Sequence, residues 1–116
     1  MKIDELVIES LTAKERFWFI DDLQIERTDS TVTLRFIIAP NLFIQVFFSQ
    51  TSERFSLALI ATSGRIYGRD KEHGFWHLHP FGNPEHHEPT PEGMSPQPII
   101  QFLAEVEEIL VDKNFL

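Results

Sequence analysis

The chain has 116 residues, eleven of them phenylalanine, and a formal net charge of −8 from 18 acidic and 10 basic side chains. The length fits one domain, 1–116, with a single aromatic-rich core. The negative charge argues against strong non-specific binding of nucleic acid, and the absence of cysteine from the sequence excludes disulfides, thiolate nucleophiles and Cys-ligated metal sites.

The N-terminal segment predicts a short helix and shows no export signal. Four apolar residues recur there at helical spacing, although Val7-Ile8 would also fit a strand: Ile3, Leu6, Val7 and Leu11. The first residues include acids where a signal peptide needs basic ones. No apolar run reaches the roughly 18 residues of a membrane span. We therefore expect a cytoplasmic protein that does not associate with membranes.

The middle of the chain predicts a run of strands. It is rich in aromatic and β-branched residues and broken by turn signals. The predicted strands are 17–25, 31–38, 42–48, 55–61 and 65–69. Short connections favour antiparallel pairing, because parallel strands need long crossovers. We predict an α+β fold with an antiparallel sheet of about five strands in meander order, in which 42–48, apolar on both sides, is central and covered on both faces.

Composition changes sharply after the last predicted strand. Six of the seven prolines lie between Pro80 and Pro98, so residues 80–96 are predicted to form a Pro-rich loop within the domain. Ser95-Pro96 then predicts a helix start, because serine is a good N-cap and proline suits the first helical position.

The C-terminal segment predicts an amphipathic helix that covers one face of the sheet. Its apolar stripe consists of Ile99, Phe102, Leu103, Val106, Ile109 and Leu110. The opposite stripe consists of Gln101, Glu105, Glu108 and Asp112, which we expect to be solvated. A sheet face left bare by this helix would need an N-terminal helix, a homodimer contact or another partner to cover it.

The chemistry-bearing residues concentrate in one segment. All five histidines fall between residues 73 and 87: His73, His77, His79, His86 and His87. If residues 75–79 are extended, His77 and His79 point to the same face, about 7 Å apart. Imidazoles so placed suit acid–base chemistry, since an ordinary histidine pKa of about 6.5 leaves both protonation states available near neutral pH.

Two other interpretations of the histidines stay open. A divalent metal could bind His77 and His79, with a third ligand from His86, His87, Asp70 or Glu88. This pattern is weak because zinc sites need three or four ligands, so no cofactor is favoured. The histidines could also belong to a solvated loop and hydrogen-bond its carbonyl groups.

A basic strand precedes the histidines. Arg65, Tyr67 and Arg69 alternate along 65–69 and are expected to share one face. Arginine forks bind phosphate oxygens bidentately, and a tyrosine ring can stack on a base. The alternative is that both arginines balance the surplus of carboxylates.

The order of these features resembles the TumE-like toxins of bacterial and archaeal toxin–antitoxin pairs. The resemblance spans about residues 30–112 in the order and size of the elements. Specific residues carry it only at Tyr67-Gly68-Arg69-Asp70, His73 and His77-Leu78-His79. The chain departs from the family pattern at Lys71-Glu72, where an asparagine is typical after the aspartate. It departs again at Phe75-Trp76, ahead of the paired histidines.

The resemblance implies a cognate antitoxin as partner and suggests RNA as the target. The resulting hypothesis is a metal-independent ribonuclease in which two of His73, His77 and His79 share proton transfer and Asp70 orients one imidazole. Arg65, Tyr67 and Arg69 would contact the RNA, whose 2′-hydroxyl is the nucleophile. The alternative function is a non-catalytic interaction or metal-binding module that uses the same loop.

Overall fold

The computed structural model describes residues 2–115, which form two helices and one seven-stranded antiparallel sheet. The helices are α1 (Ile3–Arg16) and α2 (Pro98–Asp112). The strands are β1 (Asp22–Arg27), β2 (Thr31–Ala39), β3 (Leu42–Ser49), β4 (Phe55–Ala61), β5 (Gly64–Glu72), β6 (Phe75–His79) and β7 (Glu88–Pro89). Because they pair in chain order from β1 to β7, the predicted α+β meander is confirmed.

Of the two additional strands, β6 lies in the histidine segment ahead of the predicted Pro-rich loop, and β7 lies within that loop. Strand β5 continues to Glu72 and turns into β6 through His73 and Gly74, whose φ values are 53° and 82°. A two-residue turn of this kind needs positive φ at both positions, and His-Gly lacks the asparagine or aspartate that usually marks it. Strand β7 interrupts the Pro-rich loop, and proline is tolerated in it because β7 lies at the sheet edge.

The first strand begins later than predicted. Phe17, Phe19 and Ile20 are buried in the core but form a turn, in which the Ile20 amide donates to the Phe17 carbonyl at 3.2 Å. Strand β1 starts only at Asp22. Aromatic and β-branched composition therefore indicated burial correctly at this position but did not indicate strand conformation.

The helices differ from prediction mainly in length and start. Helix α1 has 14 residues and buries Ser10 and Ala13 beside Ile3 and Leu6, whereas Leu11 is exposed. Helix α2 has Pro98 at its first position, two residues after the predicted start. The Ser95 hydroxyl accepts a hydrogen bond from the Gln97 amide at 3.1 Å and so supports the turn that precedes the helix. Among residues 2–115, no helix is long and apolar enough to span a bilayer.

Both helices pack on one face of the sheet, and they contact each other. The buried residues beneath them alternate along three strands: Val32, Leu34, Phe36, Ile44, Val46, Phe48, Phe55, Leu57 and Leu59. The prediction that 42–48 is covered on both sides is wrong, because its alternate residues Phe43, Gln45 and Phe47 are only partly buried on the other face. We call this other side the open face, since no helix of residues 2–115 covers it.

Candidate functional site

A β-bulge in β5 separates the two arginines that simple alternation places together. Leu59 pairs with Tyr67, but the next residue, Ile60, pairs with Arg65, so the register shifts by one. One extra residue reverses which face the preceding side chains take. Tyr67 and Arg69 consequently face α2, and Arg65 lies on the open face. The prediction that these three residues share a face is wrong.

On the helix side, Tyr67 and Arg69 both bind Glu105 of α2. The Tyr67 hydroxyl donates to Glu105 Oε1 at 2.7 Å, and Arg69 Nε and Nη2 donate to Oε1 and Oε2 at 2.8 and 3.0 Å. The Tyr67 ring stacks on Phe102 with centroids 5.4 Å apart. These contacts occupy the groups expected to bind RNA, and they show that Glu105 is a partner of the sheet and not a solvated residue.

The protonation states of Tyr67 and Arg69 keep this contact between β5 and α2 intact near neutral pH. Burial raises the pKa of Tyr67 well above its ordinary value, and the hydrogen bond and charge of Glu105 add to the effect. Burial alone would lower the pKa of Arg69, but its hydrogen bonds to Glu105 and the carboxylate charge outweigh this and raise it. Tyr67 thus stays a neutral donor and Arg69 a cation near neutral pH.

On the open face, Asp70 and His79 form a buried pair. In the β5–β6 register Asp70 lies opposite His77 and Gly68 lies opposite His79, so the three polar side chains share one face. His79 is only 1% exposed, and its Nε2 lies 2.9 Å from Asp70 Oδ2. The structure therefore brings Asp70 to an imidazole, the contact expected of an orienting carboxylate.

Both ring nitrogens of His79 face hydrogen-bond acceptors. Nδ1 lies 3.0 Å from the carbonyl oxygen of Pro84, and Nε2 faces Asp70. A neutral imidazole donates from one nitrogen only. Both contacts are satisfied when the ring carries two protons or when the Asp70 carboxyl carries one. With neither nitrogen free, His79 can hold the loop and its neighbours in place but cannot exchange a proton directly with a substrate.

Arg65 flanks this pair. Its Nη1 lies 3.4 Å from Asp70 Oδ2, and its side chain crosses Gly68, where an added Cβ would be 3.0 Å from Arg65 Cδ. Glycine at position 68 therefore leaves room for the guanidinium to reach Asp70. The second carboxylate oxygen, Asp70 Oδ1, is buried without a hydrogen-bond partner among residues 2–115.

His87 of the Pro-rich loop completes the group. Its ring meets the ring of His79 edge-on at 4.4 Å, and its centroid lies 6.2 Å from that of His77. His87 is exposed and His77 is partly exposed, so these two rings reach solvent. We call Asp70, His77, His79 and His87 the histidine cluster. Sequence reasoning considered His87 only as a metal ligand, because spacing alone cannot show where an irregular loop folds back.

His73 lies away from the histidine cluster. It occupies the exposed turn between β5 and β6, whereas His79 pairs with Gly68 at the opposite end of the hairpin. The structure therefore does not bring His73 to the imidazoles with which it was predicted to share proton transfer.

The predicted metal ligands are not arranged as one site. His86 Nε2 lies 4.0 Å from Glu88 Oε1 in an exposed pair. Within the described part of the chain, no three histidine, aspartate or glutamate side chains are positioned to hold one metal ion. That includes the set of His77, His79, His86 and His87.

A shallow, widely open cavity of about 510 Å³ lies beside the histidine cluster, near the β4–β5 turn. Its lining includes Arg65, Ile66, Phe81, Pro84 and Phe115. Arg65 and Pro84 also contact the Asp70–His79 pair. We call this the Phe81 cavity, and it shares a border with the histidine cluster.

Comparisons of the chain with protein-family models, curated proteins and solved structures find no match. The resemblance to TumE-like toxins thus stays a prediction from the residues that carry it. What the fold and site define is a seven-stranded α+β protein with a histidine–aspartate cluster on the open face of its sheet.

Proposed function

We propose that the protein is a metal-independent ribonuclease, the TumE-like toxin component of a cytoplasmic toxin–antitoxin pair, and that His77 and His87 are its acid and base. The observation that carries the proposal is the pair of solvent-accessible imidazole rings 6.2 Å apart. They are supported by the buried Asp70–His79 pair, with Arg65 alongside.

The ring separation suits in-line cleavage of a phosphodiester. In the proposal a phosphate lies between the two imidazoles, with an oxygen within about 3 Å of each, the reach that acid–base catalysis needs. One imidazole takes the proton of the 2′-hydroxyl as its oxygen bonds to phosphorus. The other protonates the 5′-oxygen as its bond to phosphorus breaks. The products are a 2′,3′-cyclic phosphate and a 5′-hydroxyl, and the RNA supplies its own nucleophile.

The remaining polar residues have supporting roles in this proposal. Arg65 is partly exposed and makes only a 3.4 Å contact with Asp70, which leaves other guanidinium N–H groups for phosphate oxygens. His79 packs against His87 and is held at both nitrogens. We therefore assign Arg65 to phosphate binding, and Asp70 and His79 to positioning.

The choice of RNA and of an antitoxin partner comes from the TumE-like resemblance. The net charge of −8 favours a short, local contact with single-stranded RNA over a long charged interface. The same charge favours a basic antitoxin.

The proposal can be tested by inducible expression in a bacterium, with growth and total RNA integrity as readouts. We expect growth arrest and RNA breakdown with the wild type. His77→Ala/His87→Ala should abolish both while preserving the fold, and His73→Ala and His86→Ala serve as matched controls outside the cluster. Growth arrest with intact RNA, or full toxicity of the double variant, would contradict the proposal.

A second candidate function is partner binding through the open face. Four partly buried apolar side chains favour it: Ile37, Phe43, Phe47 and Ile60. An apolar surface of this kind marks interaction sites in many proteins, and a second copy of the chain would cover it symmetrically. Sedimentation at increasing concentration should then show a dimer that Phe43→Ser/Phe47→Ser disrupts. Monomeric behaviour at every concentration would contradict self-association.

A further inference from the structure

We propose that the Phe81 cavity is a nucleobase site, which holds one base of the RNA while Arg65 contacts the adjoining phosphate. The inference rests on the proposed ribonuclease function and shares Arg65 with it, but its other residues are not those of the histidine cluster. It assigns a ligand of defined class, a nucleoside monophosphate unit, to a cavity that the histidine chemistry does not use.

The cavity has the size and the walls that a base requires. Its volume of about 510 Å³ lies within the range of roughly 300–1,000 Å³ typical of small-molecule sites. Ile66, Phe81 and Phe115 supply apolar surface. The Phe115 ring meets the Phe81 ring edge-on, with centroids 6.2 Å apart, and this contact fixes the orientation of Phe81. An oriented aromatic ring is the usual stacking partner of an unpaired base.

The charges around the cavity match a nucleotide. Arg65 lines the wall that adjoins the histidine cluster, and Lys113 Nζ lies 5.6 Å from the Phe81 centroid. One cation thus lines this cavity and a second lies over its Phe81 ring, in a chain whose net charge is −8, and this positive charge is the complement of a phosphate. Glu85 also lines the cavity, and its carboxylate can accept a hydrogen bond from the amino group of a base such as cytosine.

The position of the cavity connects it to the chemistry. Arg65 and Pro84 belong to its lining and also contact the Asp70–His79 pair. A base seated against Phe81 therefore places its own phosphate at Arg65, next to the histidine cluster. The cavity would select the nucleotide at the cleavage site and raise the affinity for substrate.

The experiment measures binding of cytidine 3′-monophosphate and of inorganic phosphate to the full chain by isothermal titration calorimetry. The wild type should bind the nucleotide at least about tenfold more tightly than phosphate, because stacking adds to charge. Phe81→Leu should remove about tenfold from nucleotide affinity and leave phosphate affinity unchanged. Arg65→Gln should weaken both ligands.

Two further variants exclude a folding artefact. Phe81→Tyr keeps an aromatic ring and should retain nucleotide affinity, which a merely damaged fold would not do. Phe75→Leu changes an aromatic that is 70% exposed next to the β5–β6 turn, and it should alter neither ligand. Equal affinity of the wild type for nucleotide and phosphate would overturn the base site, as would unchanged nucleotide affinity in folded Phe81→Leu.

The outcome is separable from that of the proposed function. Nucleotide binding that depends on Phe81, with no cleavage of RNA, would refute the ribonuclease and retain the base site. Cleavage that depends on the histidines, with nucleotide affinity and KM unchanged in Phe81→Leu, would refute the base site alone.

Discussion

Each of the two faces of strand β5 carries an arginine paired with a carboxylate, and the two pairs differ in geometry and burial. On the helix side Arg69 makes two short hydrogen bonds to Glu105 and is mostly buried. On the open side Arg65 makes one 3.4 Å contact with Asp70 and keeps a third of its side chain exposed. One network joins a helix to the sheet, and the other lies among imidazoles that reach solvent. The β-bulge between Arg65 and Arg69 places the two side chains on opposite faces of the sheet, where Arg69 binds α2 and Arg65 lies beside the histidine cluster.

The largest expected effect comes from breaking the helix-side network. Arg69→Ala leaves the Glu105 carboxylate without its cation in a poorly hydrated place, and such losses cost about 3–5 kcal/mol. The free energy of unfolding, measured with urea, should fall by about 3 kcal/mol. Arg65→Ala is the matched control and should cost about 1 kcal/mol or less, because its ion pair is weaker and more exposed. Equal losses for the two variants would remove the distinction between the two sides.

An intermediate effect is expected at His79. His79→Ala removes a buried ring together with its hydrogen bonds to the Pro84 carbonyl and to Asp70, which should cost about 2 kcal/mol. Amide hydrogen exchange across residues 80–88 should accelerate, because the His79 ring contacts both the Pro84 carbonyl and the His87 ring of this loop. His73→Asn in the exposed turn should change stability by less than about 0.5 kcal/mol, because asparagine suits the positive φ of this position. Unchanged exchange in His79→Ala would show that the pair does not hold the loop.

The smallest effect belongs to a third polar contact, between the helices. The Glu9 carboxylate of α1 accepts the Ile100 amide of α2 at 2.8 Å. Burial raises the pKa of Glu9 above its ordinary 4.5, although hydrogen bonds from the Ile100 and Ile99 amides oppose this. The folded state therefore binds the proton more tightly than the unfolded state, so this residue's contribution to stability decreases as pH rises above 4.5.

A comparison with Glu9→Gln isolates that dependence. The glutamine keeps an oxygen for the Ile100 amide but does not titrate. The stability of the wild type relative to Glu9→Gln should be greater at pH 4 than at pH 7, as measured by urea unfolding at both values. A relative stability that rises from pH 4 to pH 7 would contradict the direction of the shift.

The regular parts of the fold could be predicted from sequence because their patterns are local. Strands 31–38, 42–48 and 55–61 follow alternation or continuous apolar runs, and the stripe from Ile99 to Leu110 fixes the buried face of α2. Strand β6 could not be predicted, since the His73-Gly74 turn is an unusual pair and the histidines that follow carry little strand signal. Its existence depends on pairing with β5, which is a tertiary contact.

The sequence indicated where in the chain the candidate site lies but did not identify all of the residues that form it. On the condition that 75–79 is extended, alternation placed His77 and His79 on one face, as the structure does. That Asp70 shares this face follows from the β5–β6 register, which the sequence did not indicate. The bulge at Arg65 has no sequence signature, so the facing of Arg65 relative to Tyr67 and Arg69 could not be derived. His87 and Glu105 reach their partners through a folded loop and a packed helix, and no residue spacing encodes those contacts.

The account is tested most directly by incubating purified protein with single-stranded RNA, and with DNA of the same sequence, in the presence of EDTA. Wild type should cleave the RNA to 2′,3′-cyclic phosphate ends and leave the DNA intact. His77→Ala and His87→Ala should each slow cleavage by about 10²-fold or more, whereas His73→Ala should not. Cleavage of DNA would contradict the 2′-hydroxyl mechanism. No cleavage of RNA by the wild type, or undiminished RNA cleavage by folded His77→Ala/His87→Ala, would contradict the assignment of the open face as the reactive side.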